Sequence, residues 1–137
     1  MTVAELAERY VALWNEPDAD RRRRTIAELW TEEGRHILQP PQEVREIAAQ
    51  PGIAMPAALE ARGHEEIEAR AASVYEHWVG AEGLSFRGRD DADRLGDVVK
   101  LHWEAVARDG TVFAVGLSFL VLAGDGRITR DYTFIVA

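Results

Sequence analysis

Cysteine is absent from all 137 residues, so neither disulfides nor thiolate metal sites can form, and the redox compartment is left open. Long apolar runs are missing as well: none approaches the ~20 residues that a membrane-crossing helix needs. The N-terminal Met1-Thr2-Val3-Ala4-Glu5 lacks the basic and apolar regions of a signal peptide, so a cytoplasmic protein with no membrane partner is expected. Positive charge is scarce. With 16 Lys+Arg against 24 Asp+Glu the net charge is −8, the wrong sign for a surface that meets phosphates, and no nucleic-acid partner is expected. The one basic run, Arg21-Arg22-Arg23-Arg24, falls in a helical pattern and reads as a solvated face paired with Asp18, Asp20 and Glu28. The four histidines show no metal-ligand spacing, so neither a metal nor another cofactor is expected.

What is present is an ordinary globular composition, 47% hydrophobic and 29% charged, in a chain long enough to close one core. A single domain over 1–137 follows, without internal repeats. Val3, Leu6, Ala7, Tyr10, Leu13 and Trp14 form one helical stripe, and Thr2 with Glu5 has capping-box spacing. Asn15-Glu16-Pro17-Asp18 ends that helix and starts another, whose stripe is Ile26, Ala27, Leu29 and Trp30. Gly34 opens a short strand over 35–39, stopped by Pro40-Pro41. Residues 40–63 are irregular; 42–50 fits one or two helical turns (Val44, Ile47, Ala48), and so long a connection suits a lid.

From His64 a third helix is expected to about Trp78, with Ile67, Ala71, Val74 and Trp78 inward and Tyr75 beside them. Strands follow over 84–86, 97–106, 111–122 and 127–136, and the Asp-Gly pairs at 109–110 and 125–126 mark tight reversals. Helices first and an antiparallel meander last make an α+β pattern.

The order of these pieces resembles the nuclear transport factor 2-like superfamily. The resemblance is carried by Glu8-Arg9-Tyr10-Val11-Ala12-Leu13-Trp14, Gln39-Pro40, Gly63-His64-Glu65-Glu66-Ile67 and Gly126-Arg127-Ile128, and covers nearly the whole chain. Within the superfamily the chain looks most like SnoaL-like proteins, relatives of ketosteroid isomerase, limonene epoxide hydrolase and the polyketide cyclases. The resemblance implies a curved antiparallel sheet wrapped around a long helix, a cone with an apolar pocket at its wide end. It also implies a homodimer through the outer sheet face.

Matched to ketosteroid isomerase, its oxyanion-hole tyrosine falls on Tyr10, its general-base aspartate on Gln39 and its second oxyanion donor on Ser118. Gln39 cannot take a proton, so isomerisation by that route is not expected. Arg130-Asp131-Tyr132 reproduces the string in which limonene epoxide hydrolase carries its water-activating aspartate. That enzyme's arginine and aspartate two apart on an earlier strand have no counterpart in Lys100-x-His102 or His102-x-Glu104.

Strand alternation maps a pocket. With Ser118 inward, Ala114, Gly116 and Leu120 follow, their small side chains leaving room for a cavity. Leu101 and Trp103 line the neighbouring strand, with Lys100, His102 and Glu104 outside. Asp131, Thr133 and Ile135 face in from the last strand. Tyr10 and Trp14 approach from the first helix, Tyr75 and Trp78 from the third. His36 alternates away from the face of Gln39 and is expected to point out; His64 should be exposed at a helix start.

Asp131 is the leading candidate, because a carboxylate in an apolar strand is costly without a partner. It serves either as an ion-pair partner of Arg130, Arg127 or Arg35, or as a general acid/base raised by aromatic walls. With Tyr10 it makes the candidate catalytic pair. Trp14, Gln39, Tyr75, Trp103, Ser118 and Thr133 are candidate substrate contacts. The expected ligand is a hydrophobic small molecule, acted on by a lyase, isomerase or hydrolase or bound without chemistry. Val98, His102, Phe113, Val115, Leu117 and Phe119 form the outer face expected to pair two copies.

Overall fold

A computed structural model of the chain describes every residue except 41, 43, 44, 47, 48 and 53–57. Val44, Ile47 and Ala48, and with them much of the expected lid over 40–63, lie outside the described residues.

Helix α1 spans Val3–Asn15 and begins as its sequence dictates: the Thr2 side chain accepts from the Glu5 amide, and Glu5 reaches back to the Thr2 amide. Such a box is worth about 1 kcal/mol. Helix α2, Ala19–Leu29, is capped by Asp18, which accepts from the Arg21 amide. The chain then turns straight into strand β1, Trp30–Leu38. Trp30 therefore opens β1 rather than closing α2, with its ring fully buried, and Ala27 lies exposed. Gly34 marks a bulge in β1: a Cβ there would stand 2.7 Å from the Trp30 ring and 3.0 Å from two carbonyl oxygens.

Strand β2, Leu59–Arg62, which the sequence pattern did not show, leads into helix α3, Gly63–Val74. A π-helical segment over Tyr75–Ala81 continues it. Strands β3 (Ser85–Gly88), β4 (Asp93–Leu95), β5 (Val98–Val106), β6 (Val112–Leu122) and β7 (Ile128–Ile135) complete the fold.

The strands form one curved sheet of seven in the order β2-β1-β7-β6-β5-β3, with β4 also on β5. The α+β class holds, but the sheet is mixed, because β1 runs parallel to β7 while every other pairing is antiparallel. Hairpins force antiparallel neighbours; β1 and β7 are joined through most of the chain, which leaves their direction free. Leu6, Tyr10, Leu13, Ile26, Leu29, Trp30, Ile67, Ala71, Val99, Leu101, Leu120 and Ile128 pack between the helices and the inner sheet face.

Two parts of the polar surface differ from expectation. Arg22 is not solvated: it is buried, with Nε 3.3 Å from Glu68 and Nη1 donating to the Glu16 carbonyl at 2.8 Å. Residues 22, 26 and 29 lie on one face of α2, so Arg22 shares the side of Ile26 and Leu29. His64 is half-buried and bonded to the Trp30 carbonyl at 3.0 Å. Among the described residues, no helix is long and apolar enough to cross a membrane.

Candidate functional site

Between α1, the α3–π-helical run and the inner sheet face lies a cavity of about 390 Å3. Its walls are largely apolar: Trp14, Trp78, Phe86, Trp103 and Phe113 with Val11, Leu38, Val74, Leu84, Ala105, Ala114 and Ile135. Tyr10, His36, Gln39, Gln42, Arg70 and Thr133 supply its polar groups. Few polar groups in an apolar hollow is the usual make-up of a small-molecule site.

Asp131 lies directly behind this polar stretch. Its exposure is 0%, and it is absent from the cavity lining, so ligand and carboxylate are separated by one layer of side chains. The Tyr10 hydroxyl donates to its Oδ2 at 2.5 Å and the Thr133 hydroxyl to its Oδ1 at 2.7 Å. Since the Thr133 hydrogen is committed to Asp131, Ser118 Oγ, 2.7 Å away, donates to Thr133 and accepts from Trp103 Nε1 at 3.1 Å. The donors run one way, Trp103 to Ser118 to Thr133 to Asp131, with Tyr10 arriving from the other side. That direction suits a carboxylate, which only accepts.

Burial is the largest influence on Asp131 and pushes its pKa up to about 7; the bonds from Tyr10 and Thr133 and the charge of Arg70 hold it back. Burial, reinforced by the charge of Asp131, raises Tyr10 well above the usual phenol range, so Tyr10 keeps its proton.

His36 faces inward, contrary to the alternation argument. That argument counted from Gln39, but β1 ends at Leu38 and the count does not run past the strand. The imidazole is buried against Trp14, ring centroids 4.9 Å apart. Its Nδ1 lies 3.0 Å from Arg70 Nη1, and Nη1 also donates to the His36 and Leu59 carbonyls at 3.0 Å each. Arginine can only donate, so Nδ1 carries no hydrogen and the proton sits on Nε2. Nε2 is 3.6 Å from Asp131 Oδ2, too far for a hydrogen bond. Burial first, and the Arg70 charge second, lower His36 to about 3, so the pair is a neutral imidazole beside a carboxyl group and not a salt bridge.

The expected residues divide accordingly. Tyr10, Trp14, Gln39, Trp103 and Thr133 line the cavity, whereas Ser118 and Asp131 stand behind its wall. Gln39, just past the end of β1, stays beside β7: its amide donates to the Thr133 carbonyl at 2.9 Å and its Oε1 accepts from the Ile135 amide at 3.0 Å. Only its side-chain NH2 is left for a ligand. Tyr75 is elsewhere. It shares a helix face with Glu68, seven residues earlier, and its ring lies 6.0 Å from the Arg22 guanidinium.

Gly116 does not leave space empty, since the Trp103 ring occupies the position of its missing Cβ. Phe113, expected outside, lines the cavity against Trp78, ring centroids 5.6 Å apart. The β5–β6 register slips there, from Ala105 opposite Ala114 to Val106 opposite Val112, and Phe113, 60% exposed, borders the cavity at this bulge. The expected ion pairs of Asp131 with arginine are not made: Arg35 meets Glu60, Arg127 meets Asp125, and Arg130 lies near the Tyr132 hydroxyl.

Arg70 is a site residue outside the expected set, and its signal lies in the sequence: positions 67, 70, 71 and 74 have inward helical spacing, which puts an arginine in an apolar stripe. A second hollow of about 450 Å3, between α1 and residues 88–92, mixes Glu5, Glu8, Arg89, Asp90 and Asp91 with apolar side chains, and its His102–Asp91 pair is partly exposed to solvent.

No protein-family model matches the chain, and no curated protein matches it. Solved structures do. A proposed isomerase of the SnoaL-like family from Agrobacterium tumefaciens strain C58 superposes with a TM-score of 0.77 at 24% identity, over 100% of each chain. A SnoaL-like protein of unknown function from Burkholderia thailandensis E264 gives 0.65 at 16% identity, over 98% of this chain and 94% of the other. An NTF2-like protein of unknown function from Mesorhizobium loti gives 0.61 at 16%, over 98% and 91%. The chain therefore has the fold of these SnoaL-like and NTF2-like structures, and because a fold does not fix a function, its function rests on the residues above.

Proposed function

We propose that this protein binds a hydrophobic small molecule in the cavity and moves a proton on it without a cofactor, as an isomerase or lyase. The observation that carries the reading is Asp131, fully buried behind an apolar cavity, bonded to the Tyr10 hydroxyl at 2.5 Å and held near pKa 7. Such a group is poised to give and take protons at neutral pH.

Tyr10 lines the cavity where Asp131 does not, so Tyr10 is the contact and Asp131 the reservoir. With Asp131 ionised, Tyr10 donates to it and offers oxygen lone pairs to the ligand. When a proton leaves ligand carbon it passes to the Tyr10 oxygen as the original phenol proton passes to Asp131. Return of the proton to another ligand atom retraces the path. Tyrosinate never accumulates, in keeping with the raised pKa of Tyr10. The Gln39 NH2 holds the ligand's polar end, while Trp14 and Trp103 grip its apolar body.

A cavity that binds without chemistry is the second reading. It is favoured by one fact: both Asp131 oxygens are already satisfied and neither faces the cavity. The two separate on β-tetralone, an apolar ketone with exchangeable α-protons, followed by NMR in deuterated buffer. Proton transfer predicts accelerated exchange that Asp131→Asn and Tyr10→Phe abolish while tetralone still binds. Binding without acceleration in the parent protein would overturn it.

Pairing of two copies through the outer sheet face, and a cytoplasmic location, belong to the same proposal. On that face Phe134 is 43% exposed and Phe119 meets it edge to face at 5.9 Å.

A further inference from the structure

We propose that the ligand is an anion, a carboxylate or an enolate carried on a flat apolar body, and that the Arg70 guanidinium recognises it; this rests on reading the cavity as a small-molecule site.

Arg70 reaches the cavity from the inward stripe of α3. One nitrogen, Nη1, is spent on His36 Nδ1 and on the carbonyls of His36 and Leu59, which fixes the plane of the fork. Nε and Nη2 have no partner among the described residues. Nor does any described carboxylate form an ion pair with Arg70; the negative charges acting on it are Asp131, across His36, and Glu66.

Arg70 is half-buried, and a guanidinium partly withdrawn from water in a largely apolar wall gains by meeting an anion. The free edge, Nε with Nη2, is the geometry that takes two oxygens of a carboxylate side by side, and an enolate oxygen would take one or both donors. The positive charge cannot be shed, since arginine stays protonated even when burial lowers its pKa. The neighbouring imidazole does not compete for the anion, because its Nδ1 faces Arg70 and it is neutral. Asp131 would oppose an anion only when ionised, and near pKa 7 it can carry a proton instead. Trp14, Trp78, Phe86, Trp103 and Phe113 share the lining with Arg70 and suit a flat ring system, and no other charged side chain lines the cavity among the described residues.

The test is calorimetric titration of the full chain with naphthoate, with naphthalenemethanol as its neutral counterpart, and with phenylcyclohexanedione, which is an enolate at neutral pH. The parent protein should prefer naphthoate to naphthalenemethanol by about tenfold or more, the return of a charge-assisted bond. Arg70→Gln should erase that preference while keeping naphthalenemethanol affinity, and Arg70→Lys should keep part of it. Preference for the dione over naphthoate assigns the enolate; the reverse assigns the carboxylate. Equal affinity of the parent protein for naphthoate and naphthalenemethanol overturns the proposal even if Arg70→Gln fails to fold, and so does a preference that survives Arg70→Gln. If tetralone exchange is catalysed in either case, the proton-transfer reading stands alone. If no probe binds, the small-molecule reading falls and the anion proposal with it.

Discussion

Arg22 and Arg70 are both arginines on the inward stripe of a helix, and the molecule treats them differently. Arg22, between α2 and α3, meets Glu68 directly; the two side chains are 8% and 15% exposed, and the Glu16 carbonyl takes a further N–H. Arg70, at the cavity wall, meets among the described residues only a neutral imidazole and two carbonyls, with Asp131 on the far side of that imidazole. The first charge is neutralised where it stands, as structure requires. The second is left for something else to complete. An inward-facing cation thus becomes informative through its partner list as well as its burial: Arg22 is buried and Arg70 half-buried.

The largest expected effect probes the acid–base pair on the cavity side. Asp131 has a folded pKa near 7, above its ordinary 3.8, so its contribution is full below pH 4 and is lost as pH rises to 7. His36 has a folded pKa near 3, below its ordinary 6.5, so its contribution is full above pH 6.5 and is lost as pH falls toward 3. Each is of order 4 kcal/mol at about 1.4 kcal/mol per unit. The two slopes oppose, so stability of the parent protein should vary little between pH 4 and 6.5. Asp131→Asn should leave the rising slope and His36→Gln the falling one, measured by urea denaturation across pH. Parallel profiles for the two variants would show that the pair does not titrate as described.

Next in size is the direct comparison. Arg22→Met strands Glu68 in a nearly dry site and should cost about 3 kcal/mol. Arg70→Met orphans no directly bonded carboxylate and should cost only ~1 kcal/mol, the net value of bonds to partners that the cavity leaves partly hydrated. Equal losses in denaturant titrations would erase the distinction between a structural and a ligand-directed arginine.

The smallest effect on monomer stability is expected on the outer sheet face, far from both arginines. Phe134→Lys should change unfolding free energy by about 0.5 kcal/mol or less. It should nonetheless convert a dimer into a monomer in sedimentation at micromolar concentration. A parent protein that already sediments as a monomer would remove the proposed pairing.

Much of the architecture was legible because it depends on near neighbours. The Thr2–Glu5 box, the Asp18 cap and the turns at Asp109-Gly110 and Asp125-Gly126 each involve residues a few positions apart. So does the inward set Leu101, Ser118, Leu120, Asp131 and Thr133, read by simple alternation. The failures have equally local causes. The bulge at Phe113 brought one outer-face residue to the edge of the cavity. The end of β1 at Leu38 broke the count that placed His36. The short strands β2 and β4 carry too few residues for a pattern. Arg22 and Arg70 escape an apolar pattern, because a charge interrupts the stripe in sequence although the side chain lies on the same helix face.

By itself, then, the sequence determined the helix-then-strand order, the α+β class, the inner face of the sheet and the presence of a carboxylate on it. Those follow from periodicities of 3.6 and 2 and from capping and turn chemistry, which act over a few residues. Only the tertiary structure decided what that carboxylate meets. Tyr10 reaches Asp131 across 121 positions, His36 approaches through a parallel pairing that no hairpin imposes, and Arg70 arrives from a third element. Such meetings depend on how helices seat against a curved sheet, and no local pattern encodes that.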